Sequence, residues 1–353
     1  MVLTRPPSVA WLTGGVALPV DRSASVDLVW GVVTRDGAAL VTTNVERDRV
    51  LDEYVPSDHG FELVAVPWYQ SDAFVAAALE AAGAGPGEVA ADGHPAFGAD
   101  ASDDLVALRL ALSLPEREDL RSLGAHAAEA LEGALRAWRP GERDLDVQAR
   151  VAAALEAAGA DPPVLIVGAD DRVRRYRHPM AVGAPASQLV MAVVVARRAG
   201  LHAAATRFAS AGPLPRDLAD ARARVLRIER AVLGATVPGA TYGDALAAVD
   251  HAYEKEGARE GWAGHYQGGP IGFQQREFEI APSQRESRWF AQAVEAGHAV
   301  AWNPSLPGGA KAEDTYLVGD AGLERLTTGR GEWPLEPGDE TAPARPGVLE
   351  VGA

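Results

Sequence analysis

Two histidines and one glutamate in the second half of the chain have the side-chain types that acid–base chemistry needs. His178 directly precedes a proline, His265 opens a glycine-rich stretch, and Glu313 follows Lys311 by two positions. A histidine titrates near pH ~6.5 and can move a proton at neutral pH, while a nearby carboxylate can orient it or raise its pKa. Such a set is suited to proton transfer on a small molecule.

Further polar side chains in the same part of the chain are suited to binding a substrate. Arginine and lysine hold carboxylates through charge-assisted hydrogen bonds, and amide side chains both donate and accept. The candidate substrate-binding residues are Arg207, Gln267, Arg276, Asn303 and Lys311. Structural alternatives stay open, because Arg276 beside Glu277 can form an ordinary ion pair and Glu313 can persist as the partner of Lys311.

The histidines have structural alternatives as well. A histidine before a proline, as at position 178, is also typical of a loop, and His265 beside Tyr266 can be packed against aromatic side chains. The remaining histidines show no paired spacing and are assigned no role: His59, His94, His126, His202, His251 and His298.

Length and composition describe two globular domains. The chain has 353 residues, a length that exceeds what one ordinary hydrophobic core holds. Of these residues 47% are hydrophobic and 23% charged, as in a globular protein. The net charge of −16 disfavours nucleic acid and membrane surfaces as partners. The chain contains no cysteine, which excludes disulfides and thiolate chemistry, and its first residues make a poor signal peptide. A cytoplasmic protein is expected.

Hydrophobic patterning predicts a smaller α/β domain over residues 1–113 and a larger domain over 114–353. The boundary follows Ser113 because Pro115 and acidic residues open a helix that runs to about Trp138. Within the first domain the predicted elements are a hairpin (27–34 and 38–42), a strand (61–66) and a helix (71–82) that Ser71 would cap.

The larger domain contains an internal repeat. Residues 139–159 and 237–257 match in register, and each copy has a long helix, a Pro-Gly turn, an aspartate near the start of a short helix and a closing glycine. A chance match of two Pro-Gly turns is the alternative. A duplicated unit predicts one curved sheet with helices outside and a cleft where the copies meet. The other predicted elements are a hairpin (188–196 and 201–208), a helix (284–296), strands (298–302 and 313–318) and a surface tail after Gly329.

These elements and their motifs resemble the creatinase and aminopeptidase P family, the pita-bread fold of the M24 metallopeptidases. The motifs that carry the resemblance are Arg177-His178-Pro179, Thr206-Arg207, residues 265–273, Trp302-Asn303-Pro304 and residues 311–315. The resemblance spans nearly the whole chain. It implies an α+β protein with a pita-bread C-terminal domain behind the smaller N-terminal α/β domain, and a homodimer.

The sequence departs from the metal site that the resemblance implies. Family peptidases hold two divalent metals with two aspartates, one histidine and two glutamates. The matching positions here are Val193, Ala204, Gly269, Asn303 and Glu313. One carboxylate cannot hold a pair of hard dications, so neither a metal nor any other cofactor is expected.

The resemblance also suggests roles for the polar residues that remain. His178 matches the substrate-facing histidine of the family, and Arg276 falls on a position that is histidine in the peptidases. The family includes creatinase, which breaks a C–N bond without metal through histidine and glutamate side chains.

The favoured interpretation is a metal-independent creatinase-like enzyme acting on a small amide, amidine or amino-acid-like C–N substrate. The proposed catalytic residues are His178, His265 and Glu313; His178 would be the proton shuttle, Glu313 its electrostatic partner on the cleft wall, and Arg276 the anchor. Two alternatives stay open: a non-catalytic small-molecule-binding protein, and an Xaa-Pro aminopeptidase-type metallopeptidase with a degenerate site.

Overall fold

The structure, a computed structural model, describes residues 1–15, 20–53, 60–70, 72–340 and 342–352. It contains two compact units, Met1–Arg109 and Leu110–Ala353, so the division falls slightly before the boundary expected after residue 113. The predicted cap Ser71 and the unassigned His59 lie outside the described residues. Within the described ranges, every helix is too short or too polar to cross a bilayer.

The first unit is a mixed six-stranded sheet with helices on both faces. Its strands, in the spatial order β4-β3-β2-β1-β5-β6, are β1 (Val2–Leu3), β2 (Trp30–Val33), β3 (Ala38–Thr43), β4 (Phe61–Val66), β5 (Ala90–Ala91) and β6 (Ala99–Asp100). Its helices are α1 (Pro6–Leu12), α2 (Arg47–Glu53), α3 (Ala73–Ala82) and α4 (Ser102–Arg109), with a 3-10 turn at Pro86–Glu88. The predicted hairpin, strand and helix are confirmed.

Alternation along β3 explains the two helical layers of this unit. Ala39 and Val41 pack in the same core cluster as residues of α3, whereas Leu40 packs with Val9 of α1 and Val50 of α2. Because successive side chains of a strand point to opposite faces, the apolar run Ala38–Val41 of β3 must be covered on both sides.

The second unit contains the helix–helix–strand duplication. Its helices are α5 (Leu114–Ala137), α6 (Asp144–Ala157), α7 (Asp170–Arg175), α8 (Arg216–Ala235), α9 (Tyr242–Lys255) and α10 (Arg259–Ala263). Its strands are β7 (Glu142–Arg143), β8 (Asp161–Ala169), β9 (Pro185–Ala186), β10 (Leu189–Arg198), β11 (Leu201–Ala211), β12 (Gly268–Pro270), β13 (Ala299–Trp302), β14 (Ser305–Leu306), β15 (Ala310–Lys311), β16 (Asp314–Gly319), β17 (Gly322–Arg325), β18 (Leu335–Glu336), β19 (Arg345–Pro346) and β20 (Val348–Val351). The predicted pairs of long and short helices are α5–α6 and α8–α9.

Helix α5 shows how local sequence sets the start of the second unit. Ser113 caps it: the Ser113 backbone N–H donates to Glu116 Oε2 at 2.6 Å, and the Glu116 N–H donates back to Ser113 Oγ. The predicted apolar face is buried at every position: Leu120, Leu123, Ala127, Leu131 and Leu135. This face packs on β10 and β11, where the predicted hairpin is confirmed.

Two four-stranded sheets form in place of the single curved sheet that the repeat predicts. Their orders are β20-β11-β10-β8 and β12-β13-β16-β17. Between β11 and β16 the ladder is replaced by individual hydrogen bonds, from the Thr206 N–H to Glu313 O at 2.9 Å and from the Ala204 N–H to Thr315 Oγ1 at 2.8 Å. A threonine hydroxyl therefore takes the place of a backbone acceptor where the two sheets meet.

Two other predictions for this unit are wrong. The segment 284–296 forms no α-helix and has only short 3-10 turns, at Pro282–Gln284 and Arg288–Phe290. Its internal backbone hydrogen bonds span three residues, and Gln292 and Val294 bond to residues 239–242 instead. The tail after Gly329 does not simply cover the surface, since β20 extends a sheet by pairing in parallel with β11.

Two buried histidines make the stability of this unit depend on pH. His202 and His298 are 8% and 2% exposed, and burial lowers the pKa of each to about 4. In the unfolded chain a histidine titrates near ~6.5, so the unfolded state binds more protons between these values. Stability is therefore complete above pH ~6.5 and is lost as the pH falls, by about 1.4 kcal/mol per histidine and pH unit.

We expect urea unfolding at pH 7, 6 and 5 to show this loss, and His202→Gln to make the dependence on pH shallower. His251→Gln, on the exposed face of α9, is the matched control and should leave the slope unchanged. An equal slope in the wild type and in His202→Gln would contradict the assignment.

Candidate functional site

A buried ion pair between Lys311 and Glu313 lies at the centre of the site. Lys311 Nζ is 3.1 Å from Glu313 Oε2, and the side chains are 5% and 6% exposed. Thr206 Oγ1 donates to Oε2 at 2.7 Å and Asn303 Nδ2 to Oε1 at 3.2 Å. Burial alone would raise the pKa of Glu313, but the Lys311 ammonium and these hydrogen bonds lower it below its ordinary value. Glu313 is therefore an ionised, fully partnered carboxylate.

This burial corrects the expected position of Glu313 on an open cleft wall. Glu313 stands between β15 and β16, where its backbone oxygen also accepts from Thr206. Both β11 and the loop that carries Asn303 cover it. Glu313 can act on a substrate only through its neighbours.

Strand register explains what surrounds this carboxylate. Val193 lies directly opposite Thr206 in the β10–β11 ladder, and Ala204 precedes Thr206 by two residues. All three therefore point to the face on which Thr206 reaches Glu313. Val193 and Ala204 are each 3% exposed. Apolar side chains thus stand where the resemblance would put two metal-ligating aspartates.

The remaining positions do not supply metal ligands either. Gly269 has a φ of 144°, a conformation that strains any residue with a side chain, so a histidine would not be accommodated without cost. Asn303 donates its amide N–H to Glu313, and the Lys311 ammonium repels a cation. Within the described ranges there is no group of three or more His, Cys, Asp or Glu that could hold a metal ion. The residues do not fit a pair of divalent metals.

The two candidate histidines lie side by side. The ring centroids of His178 and His265 are 5.3 Å apart, with the rings tilted by 52°. His178 is exposed and follows α7, whereas His265 follows α10 and is half-buried. Both ring nitrogens of His265 are screened from solvent and have no hydrogen-bond partner among the described residues. The structure therefore brings together two of the predicted catalytic residues.

Both histidines are neutral at pH 7. Burial and then the Lys311 ammonium lower the pKa of His178, and Glu313 partly offsets this. Burial, again followed by Lys311, lowers the pKa of His265 to about 4. Since Lys311 and Glu313 act on both rings, the four residues form one electrostatic cluster. A neutral imidazole near this cluster can accept a proton at neutral pH.

A cavity of about 680 Å³ opens beside the histidine pair. Its wall includes Arg177, His178, Trp262, His265 and Tyr266. Gln267 also lines it, and its Nε2 donates to the backbone oxygens of Trp262 at 2.9 Å and His265 at 2.6 Å. Gln267 therefore holds the loop that positions His265, and its amide N–H groups are engaged in that loop.

Neither of the two arginines assigned to substrate binding is among the described residues that line this cavity. Arg276 Nη1 donates to Gly268 O at 3.1 Å and is 3.4 Å from Glu279 Oε2, so it reaches the cavity only through Glu279. The prediction that Arg207 binds substrate is wrong, because its side chain is 0% exposed. It pairs with Asp314 at 2.9 Å and Glu132 at 3.2 Å, which more than offset burial and raise its pKa. Arg207 is a structural residue of the core.

Sequence reasoning left Thr206 of the site without a role, although its hydroxyl makes the shortest hydrogen bond to Glu313. Period-two alternation was the available signal, because Thr206 shares the face of Ala204 while Arg207 cannot. Arg177, which precedes His178 in its motif, also lines the cavity.

The fold and site thus define an α+β protein of pita-bread type in which only Glu313 remains of the five side chains that the resemblance assigns to metal. The profile of metallopeptidase family M24 matches residues 118–320. The chain belongs to this family, which confirms the resemblance and the fold class. A comparison with curated proteins found no match.

Solved structures agree over nearly the whole chain. Dipeptidase PepE from Mycobacterium ulcerans is 22% identical with a TM-score of 0.75, covering 99% of this chain and 93% of that one. X-Pro aminopeptidase from Thermotoga maritima is 15% identical with a TM-score of 0.74, covering 99% and 97%. The prolidase from Pyrococcus horikoshii is 17% identical with a TM-score of 0.71, covering 94% of each. At these identities the likeness is one of fold.

Proposed function

We propose that this chain is a metal-independent M24-family enzyme that breaks a C–N bond in a small amide, amidine or amino-acid-like substrate. The observation that carries the proposal is the Lys311–Glu313 pair beside two neutral histidines. The pair supplies a fixed ammonium among positions that hold metals elsewhere in the family. The histidines supply a proton acceptor that needs no metal-bound water.

The reaction that fits these groups is hydrolysis by a directly activated water. His178 takes a proton from water as its oxygen bonds to the substrate carbon, and the π electrons of the C=O or C=N group move onto the heteroatom. The nearby Lys311 ammonium stabilises the negative charge that develops. The C–N bond then breaks as the heteroatom electrons return, and His178 gives its proton to the leaving nitrogen.

The other members of the cluster have supporting roles in this proposal. Glu313 is a positioning residue, since it fixes Lys311 and raises the pKa of His178. His265 packs beside the His178 ring and shapes the cavity wall, since both of its ring nitrogens are screened from solvent. Asn303 and Gln267 hold the site together through Glu313 and the His265 loop.

A non-catalytic small-molecule-binding protein is the second candidate. It is favoured because Lys311 and Glu313 are nearly buried and are not among the described residues that line the large cavity, so a ligand held there does not touch them. A metallopeptidase with a degenerate site is disfavoured because the positions that match metal ligands carry Val193, Ala204, Gly269 and Asn303, none of which has a carboxylate or imidazole side chain. The homodimer and the cytoplasmic location expected from the sequence stay predictions.

Metal analysis tests the proposal directly. We expect tag-free protein to contain well under one equivalent of Mn, Co or Zn, and EDTA to leave both the melting temperature and any turnover of an amide and amidine panel unchanged. A metal whose free concentration is 100 times its Kd would raise the free energy of unfolding by about 2.7 kcal/mol, and chelation would remove this contribution. About two equivalents of metal, or turnover lost in EDTA, would overturn metal independence. A panel member that binds tightly and is never consumed would favour the binding protein.

A further inference from the structure

A second, smaller cavity of about 110 Å³ lies between α7 and the β14–β15 hairpin. Four of its lining residues are cationic, and none of those that the structure describes is acidic: the cations are Arg174, Arg175, Arg177 and Lys311. Ser305 adds a hydroxyl. A water needs about 10–15 Å³ of such volume, so this cavity has room for a small anionic group.

The cations differ in whether they have a counter-charge. Lys311 pairs with Glu313 and Arg174 with Asp217. Arg175 is exposed and lies over the ring of Tyr176 at 5.4 Å. Arg177 is half-buried and donates from Nη1 to Ser305 Oγ at 2.9 Å, and no carboxylate of the described residues pairs with it. One partly desolvated guanidinium is therefore left without an anion.

That arrangement is costly unless an anion completes it. A half-buried charge without a partner loses part of its hydration with no compensating ion pair, and this partial burial lowers the pKa of Arg177. One hydroxyl satisfies one of the five N–H donors of a guanidinium. The remaining fork matches a carboxylate in bidentate geometry.

The cavity wall is built to a fixed, small size. The β14–β15 turn contains Gly309, at a φ of 99°. A Cβ there would lie 3.0 Å from the backbone oxygen of Val173 in α7. Only glycine lets the hairpin approach the helix this closely. The small cavity is thus preformed.

We propose that Arg177 anchors the carboxylate of a substrate in this small cavity. Arg177 also lines the large cavity that contains His178 and His265, so the rest of the molecule extends towards the histidine pair. Arg175, the other lining cation for which no carboxylate partner is described, is exposed, so the half-buried Arg177 is the group that holds the anion. The inference deepens the proposed function by naming a carboxylate-bearing substrate, and it rests on that function only for what happens after binding.

Binding of simple probes tests the anchor without any need for turnover. Thermal melting is followed with acetate, the neutral isostere acetamide and inorganic phosphate at equal ionic strength. We expect acetate to raise the melting temperature of the wild type and acetamide not to. Arg177→Met should weaken acetate binding by about tenfold or more, and Arg177→Lys by less, because an ammonium keeps the charge but loses the fork.

A matched control separates the site from a general loss of positive charge. Arg117 is also half-buried and donates to a neutral oxygen, that of Leu112, so Arg117→Met should bind acetate as the wild type does. Arg177→Met removes an unpaired charge, so the melting temperature of the ligand-free variant should not be lower than that of the wild type. A loss of acetate binding can then be distinguished from misfolding.

The outcomes also separate this inference from the proposed function. Acetate binding that is equal in the wild type and Arg177→Met overturns the anchor. Phosphate binding tighter than acetate overturns the carboxylate assignment. If acetate binding depends on Arg177 but the protein consumes no substrate, the anchor is supported and the proposed enzymatic function is contradicted.

Discussion

Lys311→Met is expected to destabilise the folded chain by about 3–5 kcal/mol, the usual cost of removing one partner of a buried ion pair. Lys311 and Glu313 are almost entirely screened from water. Thr206 and Asn303 continue to donate hydrogen bonds to the carboxylate, but neither neutralises its charge. The free energy of unfolding in urea at pH 7 measures the loss.

The dependence on pH and a double variant identify the cause. Without Lys311 the main influence that lowers the pKa of Glu313 is gone, so burial raises that pKa. A raised carboxyl pKa stabilises the fold at low pH and loses that contribution as the pH rises. The deficit of Lys311→Met should therefore shrink on acidification. Lys311→Met combined with Glu313→Gln should recover most of the loss, because no charge is left unpaired.

An exposed ion pair provides the control. Arg143 and Asp146 are 61% and 40% exposed, so Arg143→Met should be nearly neutral. A Lys311→Met variant as stable as Arg143→Met, or a double variant as unstable as Lys311→Met alone, would show that the pair does not hold the site together.

The shared face of Val193, Ala204 and Thr206 could be predicted from the sequence, because strand register is fixed locally. The unbroken apolar run of β10 and the turn at Ala199 and Gly200, both with positive φ, allow one pairing of β10 with β11. That pairing puts Val193 and Ala204 on one face. The same alternation puts Arg207 on the opposite face, one residue from Thr206, and its assignment to substrate binding did not take this into account.

The burial of Lys311 could not be read from its neighbours in sequence. Lysine is rarely buried unless it is paired. Its partner Glu313 is held by Thr206 of β11 and by Asn303 of the loop after β13, which are distant from Lys311 in sequence or separated from it by a turn. The cationic cavity brings together residues that are even farther apart in the sequence. Arg177 meets Ser305 across 128 positions of the chain, a contact created by the packing of α7 against the β14–β15 hairpin. Periodicity does not report such contacts.

His178→Ala is expected to lower turnover of any identified substrate by about a hundredfold or more, the usual scale for losing a general acid–base group. Its exposure on the cavity wall means that the fold should tolerate the change. His251→Ala, at an exposed position of α9, is the control for histidine loss. Turnover in His178→Ala equal to the wild type would show that another group moves the proton.

The pH profile separates a proton shuttle from a residue that only shapes the cavity. The acidic limb of kcat/KM should report the pKa of His178, which burial and Lys311 hold below its ordinary value. Glu313 raises that pKa, so Glu313→Gln should move the limb to lower pH. Because Glu313 does not touch the cavity, this variant should retain more turnover than His178→Ala. An acidic limb that does not move in Glu313→Gln would contradict the role of Glu313 as the electrostatic partner of His178. Ligand binding without any turnover in the wild type would support the non-catalytic binding protein instead.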